Sequence, residues 1–108
     1  MSALFINHQQ QRCGVYQMGR RIGHTLSDAA VAYYLETWDL GTALAIAKIH
    51  QPRVIIYNWH PSTMPWAHRV IEQFPKAKHV GLIHEIAPDT PNAGNGLFPY
   101  RMVCDPMF

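Results

Sequence analysis

The chain has 108 residues, of which 48% are hydrophobic and 15% are charged, a composition that excludes a disordered protein and allows one domain. Its formal charge of +2 comes from scattered Lys and Arg side chains, so the sequence does not indicate nucleic-acid binding. No apolar run is long enough for a membrane span, and the N-terminus lacks the pattern of a signal peptide, so we expect a cytoplasmic protein.

The first half of the chain alternates between strand and helix patterns. A short apolar run predicts a strand over Ala3–Asn7, and β-branched and aromatic residues predict a second strand over Val31–Glu36. Between them, apolar residues recur at helical spacing and predict a helix that runs to about residue 27. Thr37 can cap a second helix, which Gln51-Pro52 ends. The two predicted apolar faces consist of Val15, Met18, Ile22 and Leu26, and of Leu40, Ala43, Leu44 and Ala47.

The second half continues the alternation. Ser62 or Thr63 can cap a third helix with Pro65 in its first turn, and Pro75 ends that helix. Turn-forming residues fill Pro88–Gly96, which we expect to be a mobile loop. The predicted buried face of the helix is Ala67, Val70, Ile71 and Phe74. The three further predicted strands are Val54–Asn58, Lys78–His84 and Tyr100–Cys104.

This alternation predicts an α/β Rossmann-like fold, a parallel sheet with right-handed crossovers and flanking helices. The expected central strands are Ala3–Asn7, Val54–Asn58 and His79–Ile83. Three helices leave little cover for the second face of a five-stranded sheet. We therefore expect residues 1–108 to form a single domain that is a piece of a longer protein and can self-associate.

Polar residues gather at the predicted carboxyl ends of the strands, the edge at which ligands bind in open α/β sheets. They are Asn7, Glu36, the segment Asn58–Thr63 and the pair His84-Glu85. Because the ends of parallel strands share an edge, we expect one cleft there. The residues expected around it are Gly14, His60, Ser62, His84 and Glu85.

Two of these features have alternative interpretations. Gly14 and Gly19 do not form a GxGxxG pattern, so a nicotinamide cofactor is not indicated. They either allow close packing of the helix or leave its N-terminus open to an anion, with Arg20 adding positive charge. His60 is either a cap for the next helix or a hydrogen-bonding group for a substrate. The histidines share no metal-ligand spacing, so we expect no metal site.

Three segments resemble the N-terminal half of GT-B glycosyltransferases: Cys13–Arg20 (CGVYQMGR), Asn58–Trp66 (NWHPSTMPW) and Gly81–Glu85 (GLIHE). The resemblance spans nearly all of the chain but only the first of the two domains of that fold. Cys13 stands where the wider fold usually has glycine.

The resemblance implies a division of labour between two domains. The N-terminal domain holds the acceptor, a sugar or glycan, and the C-terminal domain, missing from this sequence, holds most of the nucleotide-sugar donor. No cofactor or divalent metal is implied, and a domain by itself should be inactive. The implied catalytic residues are His84 and Glu85, and the implied substrate-binding residues are Cys13, Gly14, Gln17, Arg20, Trp59, His60 and Ser62. The alternative is a non-catalytic Rossmann-like or flavodoxin-like module that binds a ligand or regulates a partner.

Overall fold

A computed structural model of the chain describes residues 3–9, 14–60, 62–84 and 97–104. Within these residues, the elements in chain order are β1 Ala3–Asn7, α1 Gly14–Asp28, β2 Ala32–Glu36, α2 Leu40–His50, β3 Val54–Trp59, α3 Ala67–Gln73, β4 Lys78–His84 and β5 Tyr100–Cys104. The strands form one sheet in the order β2-β1-β3-β4-β5, and every neighbouring pair is parallel. The predicted Rossmann-like α/β arrangement is confirmed, with β1, β3 and β4 as the central strands.

The cap predicted for α2 is wrong. The N-cap is Asp39, whose backbone is extended and whose carboxylate accepts the Thr42 N–H at 2.7 Å. Asp is a stronger N-cap than Thr, which explains the choice of residue. Thr37 is buried instead, and its hydroxyl oxygen accepts the Asp39 N–H at 3.1 Å. The helix ends at His50, and Gln51 is its C-cap, with a φ of 46° and an N–H that donates to the Ala47 main-chain oxygen at 2.8 Å.

The start predicted for α3 is also wrong. The helix begins at Ala67, and Ser62 and Thr63 lie in a turn that precedes it. The N–H groups of Thr63 and Met64 donate to the His60 main-chain oxygen at 3.2 and 2.9 Å, so the chain closes this turn before the helix starts. Pro65 therefore precedes α3 and is not in its first turn. The predicted mobile loop, residues 88–96, lies outside the described residues.

The sheet has a larger core on the face covered by α2 and α3. Its fully buried side chains include Leu4, Ile6, Ala43, Ala47, Ile55, Tyr57, Met64 and Val70. Each large apolar side chain buried in this way contributes about 1.5–3 kcal/mol through removal of apolar surface from water. The predicted faces of α2 and α3 are thus confirmed.

On the other face, α1 is the only described helix, and it packs on β1, β2 and β3. Its buried residues are Val15, Tyr16, Gly19 and Gly23. Of the predicted residues, Val15 is buried, Ile22 and Leu26 pack against this core, and Met18 is partly buried. The helix also turns its glycines to the sheet. Beyond α1, Tyr100 and Met102 of β5 are 50% and 59% exposed. Among the described residues, exposure on this face is thus seen at the edge strand, and both the poor cover of the face and self-association stay predictions.

His79 of β4 is 3% exposed and makes one hydrogen bond through each of its ring nitrogens. Its Nε2 lies 2.7 Å from the Phe74 main-chain oxygen, which only accepts, so the ring proton is on Nε2. Its Nδ1 then accepts the Tyr57 hydroxyl at 2.7 Å. Burial lowers the pKa of His79, so the folded protein keeps this ring neutral in a range where the unfolded chain takes up a proton.

This burial predicts a loss of stability in acid. A lowered folded pKa means that the stabilisation is complete above the unfolded value, about 6.5, and is lost as pH falls below it. We expect the free energy of unfolding, from urea denaturation, to fall between pH 7.5 and 5.5. His79→Gln should reduce this fall, whereas His68→Gln, at an exposed position on α3, should not. An unchanged pH dependence in His79→Gln would contradict the prediction.

Candidate functional site

The carboxyl edge of the sheet has a topological switch point between β1 and β3. The chain leaves β1 for β2 on one side and then returns to place β3 on the other. The crevice outside such a pair of strand ends is the usual ligand position in open α/β sheets. Asn7 ends β1 and Asn58 lies next to the end of β3, and both are fully buried.

Asn7 and Asn58, which we call the amide clamp, join the two strand ends to the first turn of α1. The Asn58 amide nitrogen donates to the Asn7 side-chain oxygen at 2.7 Å and to the Val15 main-chain oxygen at 2.8 Å. The Asn7 amide nitrogen donates to the Tyr16 main-chain oxygen at 3.2 Å and to the Tyr34 hydroxyl at 2.9 Å. The N-terminus of α1 is therefore held at a fixed position above the switch point.

Two glycines of α1 have different roles. A Cβ at Gly19 would lie 2.0 Å from the Asn58 amide nitrogen and 2.8 Å from the Asn7 side-chain oxygen, so Gly19 is required for packing. A Cβ at Gly14 would meet nothing within 4 Å. The close-packing interpretation thus applies to Gly19 and not to Gly14, which lies exposed at the start of the helix.

Glu36, at the end of β2, accepts hydrogen bonds from two tyrosines through one carboxylate oxygen. Its Oε2 accepts the Tyr16 hydroxyl at 2.9 Å and the Tyr34 hydroxyl at 2.6 Å. Burial, reinforced by the Glu36 carboxylate, raises the pKa of both tyrosines, so both hydroxyls remain protonated donors at neutral pH. The carboxylate is therefore fixed in orientation at the carboxyl edge.

His60 follows β3 and forms a compact turn with Ser62. The Ser62 N–H donates to His60 Nδ1 at 3.1 Å, and Ser62 Oγ lies 2.6 Å from the same nitrogen. Because Nδ1 accepts, the neutral ring carries its proton on Nε2, which can donate to a ligand oxygen. His60 thus closes the turn that it forms with Ser62–Met64 and does not cap α3. Its alternative role, as a hydrogen-bonding group for a substrate, stays a prediction.

The other predicted site residues lie at different depths. Gln17 and Arg20 are exposed on the first two turns of α1, a helix with no acidic residue in its first turn. Trp59 is 9% exposed and packs edge-on against Phe98 at 5.9 Å, and its Nε1 has no hydrogen-bond partner among the described residues. His84 is the last residue of β4 and is therefore at the same edge. Cys13 and Glu85 lie outside the described residues.

Two residues at this edge were missed by sequence reasoning. Gln9 lies two residues beyond the end of β1, and Trp38 lies two residues beyond the end of β2. That position after a strand is the sequence signal that could have indicated them.

Within the described ranges, no group of three potential metal-ligating side chains is close enough to hold an ion. The same part of the chain contains no helix with the length and apolarity needed to cross a membrane.

A separate depression of about 520 Å³ lies at the amino-terminal edge, before β3 and β4. Its basic lining residues are Lys48, Arg53 and Lys76, around apolar residues such as Phe74. None of the predicted site residues lines it, so a ligand that binds there can be told apart from one that binds at the carboxyl edge.

Neither the protein-family models nor the curated proteins include a match to this chain.

Proposed function

We propose that this chain is the acceptor-side domain of a GT-B glycosyltransferase, which transfers a sugar from a nucleotide-sugar donor to a sugar or glycan acceptor. The observation that carries the proposal is that the three segments of the resemblance reach one edge of the sheet. The described part of the first forms the start of α1 after β1, that of the second includes the last two residues of β3 and the turn after it, and that of the third ends β4. The edge is the one at which α/β folds bind ligands.

The local chemistry suits a diphosphate. The first turn of α1 presents main-chain N–H groups without a competing acidic side chain, and Gly14 leaves open space in front of them. Arg20 adds a positive charge one turn further along the exposed side. In the proposed transfer, the bond between the sugar and the diphosphate breaks while the acceptor hydroxyl forms the new glycosidic bond. These groups would stabilise the negative charge on the leaving diphosphate.

The acceptor side is assigned to the 60–64 turn and the end of β4. His60 can donate from Nε2 to a sugar oxygen because Ser62 occupies Nδ1. His84 and Glu85 remain the proposed catalytic residues, with one of them accepting the proton of the acceptor hydroxyl. Transfer needs donor and acceptor within reacting distance, and a second domain would supply most of the donor contacts.

Titration of the chain with uridine diphosphate, followed by amide NMR, tests the proposal. We expect saturable shifts at residues 14–17 and at His60 and Ser62, with a dissociation constant of about 1 mM, equivalent to about −4 kcal/mol. Gly14→Val should weaken binding at least tenfold, because its side chain blocks the helix N–H groups, yet change stability by less than about 0.5 kcal/mol. Gly41→Ala, in the first turn of α2, is the matched control and should bind normally.

Three outcomes would count against the proposal. Shifts confined to Lys48, Arg53 and Lys76 would place the nucleotide at the amino-terminal edge. If the nucleotide shifts no amide signal, the chain does not bind the diphosphate of the donor. Equal losses of stability and binding in Gly14→Val would support a packing role for that glycine.

A second candidate function is favoured by the strand order. The order β2-β1-β3-β4-β5 is also that of flavodoxin-like folds, in which the β1/β3 switch point holds a ligand without transfer. The reading frame that encodes this sequence distinguishes the two candidates. A second α/β domain whose joint product transfers a sugar from a panel of nucleotide sugars supports the transferase. The chain alone should give no product above a buffer blank in either case.

A further inference from the structure

An exposed tryptophan lies directly beyond the fixed carboxylate at the end of β2. Trp38 is 47% exposed, and its ring lies 6.2 Å from the ring of the fully buried His8. The main chain of Trp38 is held in place, since its carbonyl oxygen accepts the Trp66 indole N–H at 2.9 Å. The indole of Trp38 is therefore an apolar surface on a fixed stretch of main chain, and about half of the residue is exposed to solvent.

The end of β2 also carries polar groups that could hydrogen-bond a ligand packed on the Trp38 ring. The two tyrosine hydroxyls occupy Oε2 of Glu36, and no described residue donates to its Oε1. A carboxylate oxygen in this position can accept hydrogen bonds from hydroxyl groups. Gln9 extends the set, because its amide nitrogen donates to the Glu36 main-chain oxygen at 3.3 Å and so brings an amide to the same edge.

We propose that Gln9, Glu36 and Trp38 form a binding site for a neutral sugar ring. The apolar C–H face of a pyranose packs on an aromatic ring, and its hydroxyls pair with a carboxylate and an amide, which is the usual composition of a small-molecule site. The carboxylate disfavours phosphorylated and acidic sugars by charge repulsion.

This site lies beside the switch point, because β2 is the direct neighbour of β1 and strands in a sheet are about 4.8 Å apart. A ring bound there would be close to a diphosphate at the start of α1. The identification of this ring as one sugar of a larger acceptor rests on the proposed function, whereas sugar binding itself does not.

The test is an NMR titration of the chain with methyl β-D-glucopyranoside, methyl β-D-galactopyranoside and N-acetylglucosamine. We expect at least one of them to shift the Trp38 indole N–H signal saturably, and D-glucuronate to bind at least tenfold more weakly. Trp38→Ala should abolish the binding, and Trp38→Phe should restore part of it. Glu36→Gln should weaken it about tenfold, because a hydrogen bond to a charged oxygen is stronger than one to a neutral oxygen.

Two matched variants control for general effects. Tyr100→Ala removes an aromatic residue that is 50% exposed on β5, at the opposite side of the sheet, and Glu72→Gln removes an exposed carboxylate on α3. Both should bind the sugars normally. The indole signal of Trp66 reports whether each variant remains folded.

The proposal is overturned if no sugar shifts the Trp38 signal of the unmodified chain, or if folded Trp38→Ala binds as tightly as the unmodified chain. The uridine diphosphate titration separates this failure from that of the proposed function. If the sugars shift the Trp38 signal but the nucleotide does not shift Gly14, the sugar site is supported and the glycosyltransferase proposal is contradicted. If the nucleotide shifts Gly14 but no sugar shifts Trp38, the glycosyltransferase proposal is supported and the sugar site is contradicted.

Discussion

Gly19→Ala is expected to destabilise the protein by about 1–5 kcal/mol. The new Cβ would lie 2.0 Å from the amide nitrogen and 2.6 Å from Cγ of Asn58, a side chain that is fully buried and cannot move aside. Overpacking costs about 1–3 kcal/mol, and loss of the buried amide hydrogen bonds adds about 1–3 kcal/mol. Alanine favours a helix over glycine by about 1 kcal/mol, which is too little to reverse the sign.

Urea denaturation of Gly19→Ala and of two control variants measures this effect. Gly14→Ala places a Cβ in open space, and Gly41→Ala meets only the Asp39 carboxylate at 3.4 Å, so both should be neutral or slightly stabilised. A Gly19→Ala protein as stable as Gly14→Ala would show that α1 can move away from the sheet without breaking the amide clamp.

Asn58→Asp is the second change with a large expected effect, about 3–5 kcal/mol, because it buries a negative charge beside two oxygen acceptors. The substitution keeps the shape of the side chain but replaces its donor by an acceptor. That acceptor would face the Asn7 side-chain oxygen at 2.7 Å and the Val15 main-chain oxygen at 2.8 Å. Three acceptors without a proton cannot satisfy one another, so the first turn of α1 should separate from the strand ends.

The pH dependence distinguishes this mechanism from a general packing defect. Protonation of the introduced carboxyl restores a donor, so the deficit relative to the unmodified chain should shrink as pH falls from 7.5 to 4.5. Comparison at each pH cancels the acid effect of His79. Asn58→Leu, which cannot titrate, is the control and should show a deficit independent of pH. A constant deficit in Asn58→Asp would contradict the assignment of the amide nitrogen toward Asn7.

The strands and helices could be predicted because apolar periodicity reports which residues face a core. Their ends could not, since a cap depends on turn geometry as well as on residue type. Thr37 lies two residues before a better capping residue, and the Ser62 N–H donates to the His60 ring. Both have side chains that can cap a helix, and no periodic pattern shows whether they do. The same limit applies to the start of α3, where the His60 carbonyl closes a turn before Ala67.

The edge that carries the candidate site could also be predicted, because parallel strands end on one side. The contacts within it could not. Asn7 and Asn58 are 51 residues apart, and the Tyr16 and Glu36 side chains that meet are 20 residues apart. The register of β1 with β3 places their ends side by side, and the packing of α1 on β2 brings Tyr16 to Glu36. Neither arrangement follows from a local motif.

The amide clamp has a consequence for the thermodynamics of ligand binding. A flexible glycine-rich loop must lose conformational entropy when it closes on an anion, and that loss reduces the affinity. Here the carbonyls of Val15 and Tyr16 are already bonded to buried side chains, which fixes the neighbouring N–H groups before any ligand arrives. The start of α1 is thus preorganised, and an anion bound there would gain its hydrogen bonds without a matching entropic cost from the helix.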